Sequence, residues 1–141
     1  MIYETCGIKE SIIAYNRVLF NLENENDRMY AIYRKGLLLV QEKLYKEAEN
    51  CFEVLNEEKC PSLQSEVNYY KGILHSTQSD LETALLYFEQ SIKRKTSEKF
   101  VRQAQLEKLM ILLKKKDYYS AEYELERIPE NEMSENTRKV Q

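Results

Sequence analysis

A period of 36 to 37 residues runs through this chain and restricts its fold more than any other feature. Gly36 and Gly72, Ala48 and Ala84, and Phe52 and Phe88 each stand 36 residues apart, and Tyr33-Arg34-Lys35-Gly36-Leu37 recurs as Tyr69-Tyr70-Lys71-Gly72-Ile73. The frame extends both ways: a small residue at Ser11, Ala48, Ala84 and Ala121, then a bulky one four later at Tyr15, Phe52, Phe88 and Leu125. Three residues before each small one sits Ile8, Tyr45, Leu81 or Tyr118. Offsets of three, four and seven place these side chains on one face of a helix. A unit repeated at this period cannot bury its apolar face alone, so it must stack on its neighbours.

The 141 residues fit one domain with a core of useful size. Three glycines and two prolines are too few for the many turns of a sandwich or barrel. Caps and breakers predict seven helices near 8–23, 27–42, 45–58, 62–77, 80–95, 97–115 and 118–128. Asn26 or Asp27, Ser62, Ser97 and Asp117 are the expected N-caps, and Ser79-Asp80-Leu81-Glu82 reads as a capping box. Pro61 and Pro129 fall at helix boundaries, where a missing amide hydrogen does no harm.

The glycine twelve residues before the small residue, the tyrosine ahead of it and the aromatic four after it together resemble the tetratricopeptide repeat. That resemblance implies an all-α fold of antiparallel helix pairs in a right-handed superhelical array. The match covers residues 8–129, within a single repeat domain 1–129 made of a partial unit 1–26 and units 27–61, 62–96 and 97–129, followed by a polar tail 130–141 that is disordered or begins another helix. Three departures follow. The period exceeds the family's usual 34, Lys35, Lys71 and Lys108 stand where an apolar residue is usual, and Leu109 replaces the third glycine, which predicts wider spacing of that last helix pair.

By the same resemblance the first helix of each pair lines a concave surface, at positions corresponding to Tyr33, Leu37 and Val40, to Tyr69, Ile73 and Ser76, and to Leu106, Met110 and Leu113. These residues either line a groove that a partner covers or are ordinary core, since helical spacing requires only that one face be buried. Family members that grip acidic chaperone tails use Lys and Asn here. None of Tyr33, Leu37, Tyr69, Ile73, Leu106 and Met110 supplies such a clamp, so an amphipathic helix or apolar peptide is the expected occupant.

Catalytic chemistry finds no support. His75, the sole histidine, sits within a predicted helix at a packing position, and a nucleophile needs a base within reach. No phosphate-cradling glycine loop, HExxH or paired-carboxylate motif occurs. Cys6, Cys51 and Cys60 form no CxxC pair, so no metal or cofactor is expected; they read as reduced thiols, with Cys51 buried and Cys60 at a turn that leaves it open to solvent. The longest apolar run, Gly36-Leu37-Leu38-Leu39-Val40, is far short of the roughly 20 residues that span a bilayer, which predicts a soluble cytoplasmic protein.

The net charge of −3 is unevenly distributed, with residues 93–116 holding nine Lys and Arg against two acids. A solvated helix face accounts for such a band. Nucleic-acid binding would also need interleaved stacking rings, and the band contains only Phe100. The expectation is a non-enzymatic interaction scaffold holding a protein segment or peptide, or a second copy of itself, with no nucleic acid or membrane. A peptide-sensing repeat domain of a bacterial regulator and a structural subunit of a large assembly are the alternatives.

Overall fold

The computed structural model describes residues 2–128, with side chains from residue 9 onward; the expected tail 130–141, Ile8's side chain and Pro129 lie outside the described residues. All regular structure among them is helical. Seven α-helices run as α1 (Ile2–Asn21), α2 (Glu25–Gln41), α3 (Tyr45–Val54), α4 (Gln64–Thr77), α5 (Leu81–Arg94), α6 (Glu98–Lys114) and α7 (Tyr118–Arg127). They pack as the pairs α2/α3, α4/α5 and α6/α7, with α1 laid against α2.

Each pair turns through the same backbone device. At the end of α2 the Leu44 amide donates to the Leu39 carbonyl and the Lys43 amide to that of Val40; Asp80 and Ser79 repeat this after α4, and Asp117 and Lys116 after α6. These are three Schellman motifs at one repeat position, satisfying the last carbonyls of each leading helix. They put Lys43, Ser79 and Lys116 in the left-handed region, with φ of 63°, 63° and 60°. The expected capping box is therefore corrected. Ser79 closes α4, and it is Asp80 that caps α5 by accepting from the Thr83 amide.

Asp117 caps α7 in the same way, accepting from Ser120, whereas Leu44 at the equivalent position before α3 offers no acceptor. Asn24, rather than Asn26 or Asp27, caps α2 through the Asp27 amide. Ser97 occupies the cap position of α6 without a side-chain hydrogen bond. Ser62 falls within a 3₁₀ turn, Pro61–Leu63, that leads into α4. α3 stops at Val54, earlier than expected, because Asn56 turns the chain by accepting from the Lys59 amide at 2.9 Å and from the Cys60 amide at 2.8 Å.

The pairs close where glycine meets phenylalanine. A Cβ on Gly36 would lie 2.7 Å from the Phe52 ring, and one on Gly72 would lie 2.6 Å from Phe88. Ala48, Phe52, Ala84 and Phe88 are fully enclosed. They belong to two clusters, one joining Met29, Tyr33, Leu39, Leu55, Val67 and Leu74, the other joining Ile92, Ala104 and Ile111. Tyr45 and Leu81 are half-buried against these clusters. Ser11 and Tyr15 are half-buried on α1.

The last pair differs. Ala121 is buried, but Leu125 is 40% and Tyr118 64% exposed, so these two are corrected from enclosed packing residues to partly solvent-facing ones. Leu109 has replaced the glycine against which a ring could sit.

Polar contacts fix the middle pair. The Ser65 and Ser91 hydroxyls each donate to the other's carbonyl, at 2.9 and 2.7 Å, and the Thr96 amide donates to the Ser65 Oγ. Gln64 Nε2 donates to the carbonyls of Leu55 and Cys60, tying the preceding loop to α4.

Candidate protein-binding face

The leading helices α2, α4 and α6 are joined by aromatic rings. Tyr33 on α2 lies 6.2 Å from Tyr70 on α4, and Phe100 on α6 lies 5.4 and 5.7 Å from Tyr69 and Tyr70. Tyr70 also stacks on Phe52 at 6.0 Å, so the surface rings continue into the core. Phe100, the one ring within the basic band, is thus packed among tyrosines on this face.

The sequence-predicted lining residues do not share one environment. Tyr33 is 7% exposed and belongs to the core, which corrects its placement as a contact residue: Tyr30 and Tyr70 enclose its ring. Leu37 and Val40 are half-buried against the first cluster, and Tyr69 and Ile73 against the second. Ser76 and Leu106 are half-buried. Met110, at 65%, and Leu113, at 45%, stand exposed on α6. The face therefore opens progressively from α2 toward α6.

Sequence reasoning missed Tyr30, Arg34, Glu66, Tyr70, Phe100 and Glu107. Arg34, Tyr70 and Glu107 sit one position beyond the predicted Tyr33, Tyr69 and Leu106, and carrying the repeat one residue further reveals them. Burial shapes the electrostatics of this face. It pushes the Tyr69 hydroxyl up to about 12, with Glu107 and Tyr70 adding to the shift. Burial likewise raises Tyr33, reinforced by Tyr70 and Glu66, and raises Tyr70 against the opposing influence of Arg34. Glu107 is raised by burial alone. Between α1 and α2, a cleft of about 350 Å³ lined by Ser11, Tyr15, Arg34, Leu37, Leu38 and Gln41 borders the face.

Two of the three lysines that depart from the family pattern, Lys71 and Lys108, are bound into ion pairs. Lys71 Nζ on α4 lies 3.4 Å from Glu53 of α3. One repeat later Lys108 on α6 pairs with Glu89 of α5, and with Glu124 of α7 at 2.6 Å. Burial works against the Lys108 charge, but the two carboxylates outweigh it and raise its pKa. Arg94 pairs with Glu57 at 2.5 Å and Lys115 with Glu82, so several cations of the basic band have intramolecular partners.

His75 stacks on Tyr87 at 5.2 Å, with Nδ1 3.2 Å from Asp80 and Nε2 3.7 Å from Glu49. Cys51 is half-buried and Cys60 buried, the latter a correction of the expected exposure. Burial raises both thiols, moving them away from the thiolate form that attacks. Among the described residues no group of three His, Cys, Asp or Glu is arranged to hold a metal ion, and no helix is long and apolar enough to cross a membrane.

No family model matches the chain, and no solved structure matches it. Over 64 residues, 45% of the chain, it is 36% identical to the photosystem I assembly protein Ycf3 of Rippkaea orientalis (strain PCC 8801 / RF-1). The matched region spans 37% of that relative's length.

Proposed function

We propose that this chain is a non-enzymatic scaffold that holds a segment of a protein partner along the face of α2, α4 and α6. The observation that carries the reading is the graded apolar surface of that face. Half-buried Leu37, Ile73 and Leu106 lead to the exposed Met110 and Leu113, beside the packed rings of Tyr69, Tyr70 and Phe100. Apolar area of this kind gains free energy when a second apolar surface excludes water from it. The relative's name, an assembly protein, supports a role in handling other proteins.

A second reading, a structural piece within a larger assembly, is favoured by α7, where Tyr118, Tyr119 and Tyr123 are 64%, 87% and 59% exposed. Site-specific photo-crosslinking in the native cell separates the two. A benzophenone side chain at Met110 should capture protein, while the same group at Leu86, exposed on α5, should not. Capture from Leu86 alone would contradict the proposal, and capture from Tyr119 alone would favour the assembly-piece reading.

A further inference from the structure

The leading helix α6 carries two kinds of surface along one stripe. Arg102, Leu106, Met110 and Leu113 follow one another at steps of four, four and three residues, which sets them on one face of a continuous helix. Leu106, Met110 and Leu113 are the most open part of the apolar face. Arg102, at the other end of the stripe, borders an open cleft of about 400 Å³ lined by Lys95, Glu98, Val101, Arg102, Gln105 and Arg127.

Three cations and one carboxylate thus surround a single cleft, with the carboxamide of Gln105, 8% exposed, in its wall. The side chains come from three places. Lys95 occupies the left-handed turn that ends α5, Arg102 lies in the second turn of α6, and Arg127 closes α7. Arg102 Nε donates to the Glu98 carbonyl at 3.3 Å, and Arg127 Nη1 lies 3.1 Å from Glu124 with its guanidinium 5.7 Å from the centre of the Tyr123 ring. These contacts orient both guanidinium groups, whose planar forks of five donors match a carboxylate. Like charges that converge on one cleft repel each other, and an incoming anion relieves that repulsion. The volume suits a ligand-sized group rather than a bare ion. The cleft also lies apart from the positions at which the resembling family clamps carboxylates; on α6 these are Leu106 and Met110, one and two turns further along.

We infer that the cleft receives the acidic end of the segment whose apolar part covers Leu106, Met110 and Leu113. The inference rests on reading the face as a protein-binding surface, and it specifies the partner as a peptide with carboxylates at a fixed distance from an apolar anchor. Eight residues of helix separate Arg102 from Met110, a rise of about 12 Å. An extended chain covers about 3.3 Å per residue, so acid and anchor should stand about four residues apart in an extended segment, or about eight in a helical one.

Fluorescence anisotropy of the full chain with short synthetic peptides tests this spacing. Each peptide carries a Leu-Phe anchor and a Glu-Glu pair, separated by one to eight small polar residues. Affinity should peak near four or near eight, where it exceeds that of the Gln-Gln counterpart by roughly tenfold. Arg102→Glu and Lys95→Glu should each abolish the peak while binding of a peptide with the anchor alone is unchanged. Circular dichroism checks folding, and Lys95→Glu, at an exposed turn, decides the matter if Arg102→Glu does not fold. Binding that follows the anchor wherever the acid stands would overturn the acidic cleft and leave the apolar face. A peak that survives both charge reversals, or displacement of the peptide by a single-stranded oligonucleotide, would also overturn it. If Glu130→Gln, Glu132→Gln and Glu135→Gln together raise peptide affinity tenfold, the chain's own tail is the occupant and the partner assignment falls. Absence of binding by every peptide overturns the inference as well, and capture from Met110 then decides separately whether the binding face stands.

Discussion

Glycine and phenylalanine make the most demanding contacts at the scale of single residues. Alanine at Gly36 or Gly72 gains about 1 kcal/mol of helix propensity. Its Cβ would nonetheless meet a fully enclosed ring at 2.7 or 2.6 Å, an overlap that costs about 1–3 kcal/mol in a packed core. Gly36→Ala and Gly72→Ala should both lower the urea unfolding midpoint, and an unchanged or raised midpoint would mean that the rings are free to move aside. These pairs were legible in the sequence because glycine and ring recur at fixed spacing. The cap at Leu44 was not. Asp117 was expected to cap its helix, but it took the aligned turns to show that Asp80 accepts a backbone amide at the same repeat position where Leu44, 41% exposed, cannot. Leu44→Asp should therefore stabilise the fold by about 1 kcal/mol, read as a higher melting temperature.

Helix number and order followed from periodicity and breakers, but the relative rotation of neighbouring helices did not. Lys71 and Lys108 looked like departures from an apolar pattern until α4 was placed against α3 and α6 against α5, which brought Glu53 and Glu89 to them. Glu124 is the sharpest case, a carboxylate 2% exposed that lies against Lys108 and Arg127. Removing Lys108 leaves that charge buried without its nearest cation, so Lys108→Met should cost about 2–4 kcal/mol. Adding Glu124→Met should recover most of the loss. A double-mutant cycle in urea measures the coupling, and additive losses would show that the two residues act independently. The left-handed residues Lys43, Ser79 and Lys116 carry no sequence signal, because lysine and serine do not favour that conformation.

Across the whole molecule, the thiols and phenols that burial raises give one alkaline behaviour. Cys51, Cys60 and Tyr69 keep their protons in the fold to higher pH than in the unfolded chain, so the unfolded state ionises first. Their contribution is intact below the ordinary thiol range near pH 9 and falls as pH rises through the folded values, with Tyr69 lost toward about 12. Lys108, raised by its carboxylates against burial, adds a loss of the same sign. Stability measured by urea should decline steadily above about pH 9, and Tyr69→Phe should flatten the upper part of that decline. A flat profile would mean that these side chains are solvated. The partner face was only half legible: spacing identified the leading helices, but whether a residue lines a groove or fills the core depends on ring packing between helices, as Tyr33 and Met110 show. One helix pair is built twice on the same glycine–ring contact. Nuclear Overhauser contacts between the α-protons of Gly36 and Gly72 and the ring protons of Phe52 and Phe88 test it most directly. Both contacts should be present, with upfield-shifted glycine signals; if neither is seen in the folded protein, the helix pairs do not close on glycine and ring.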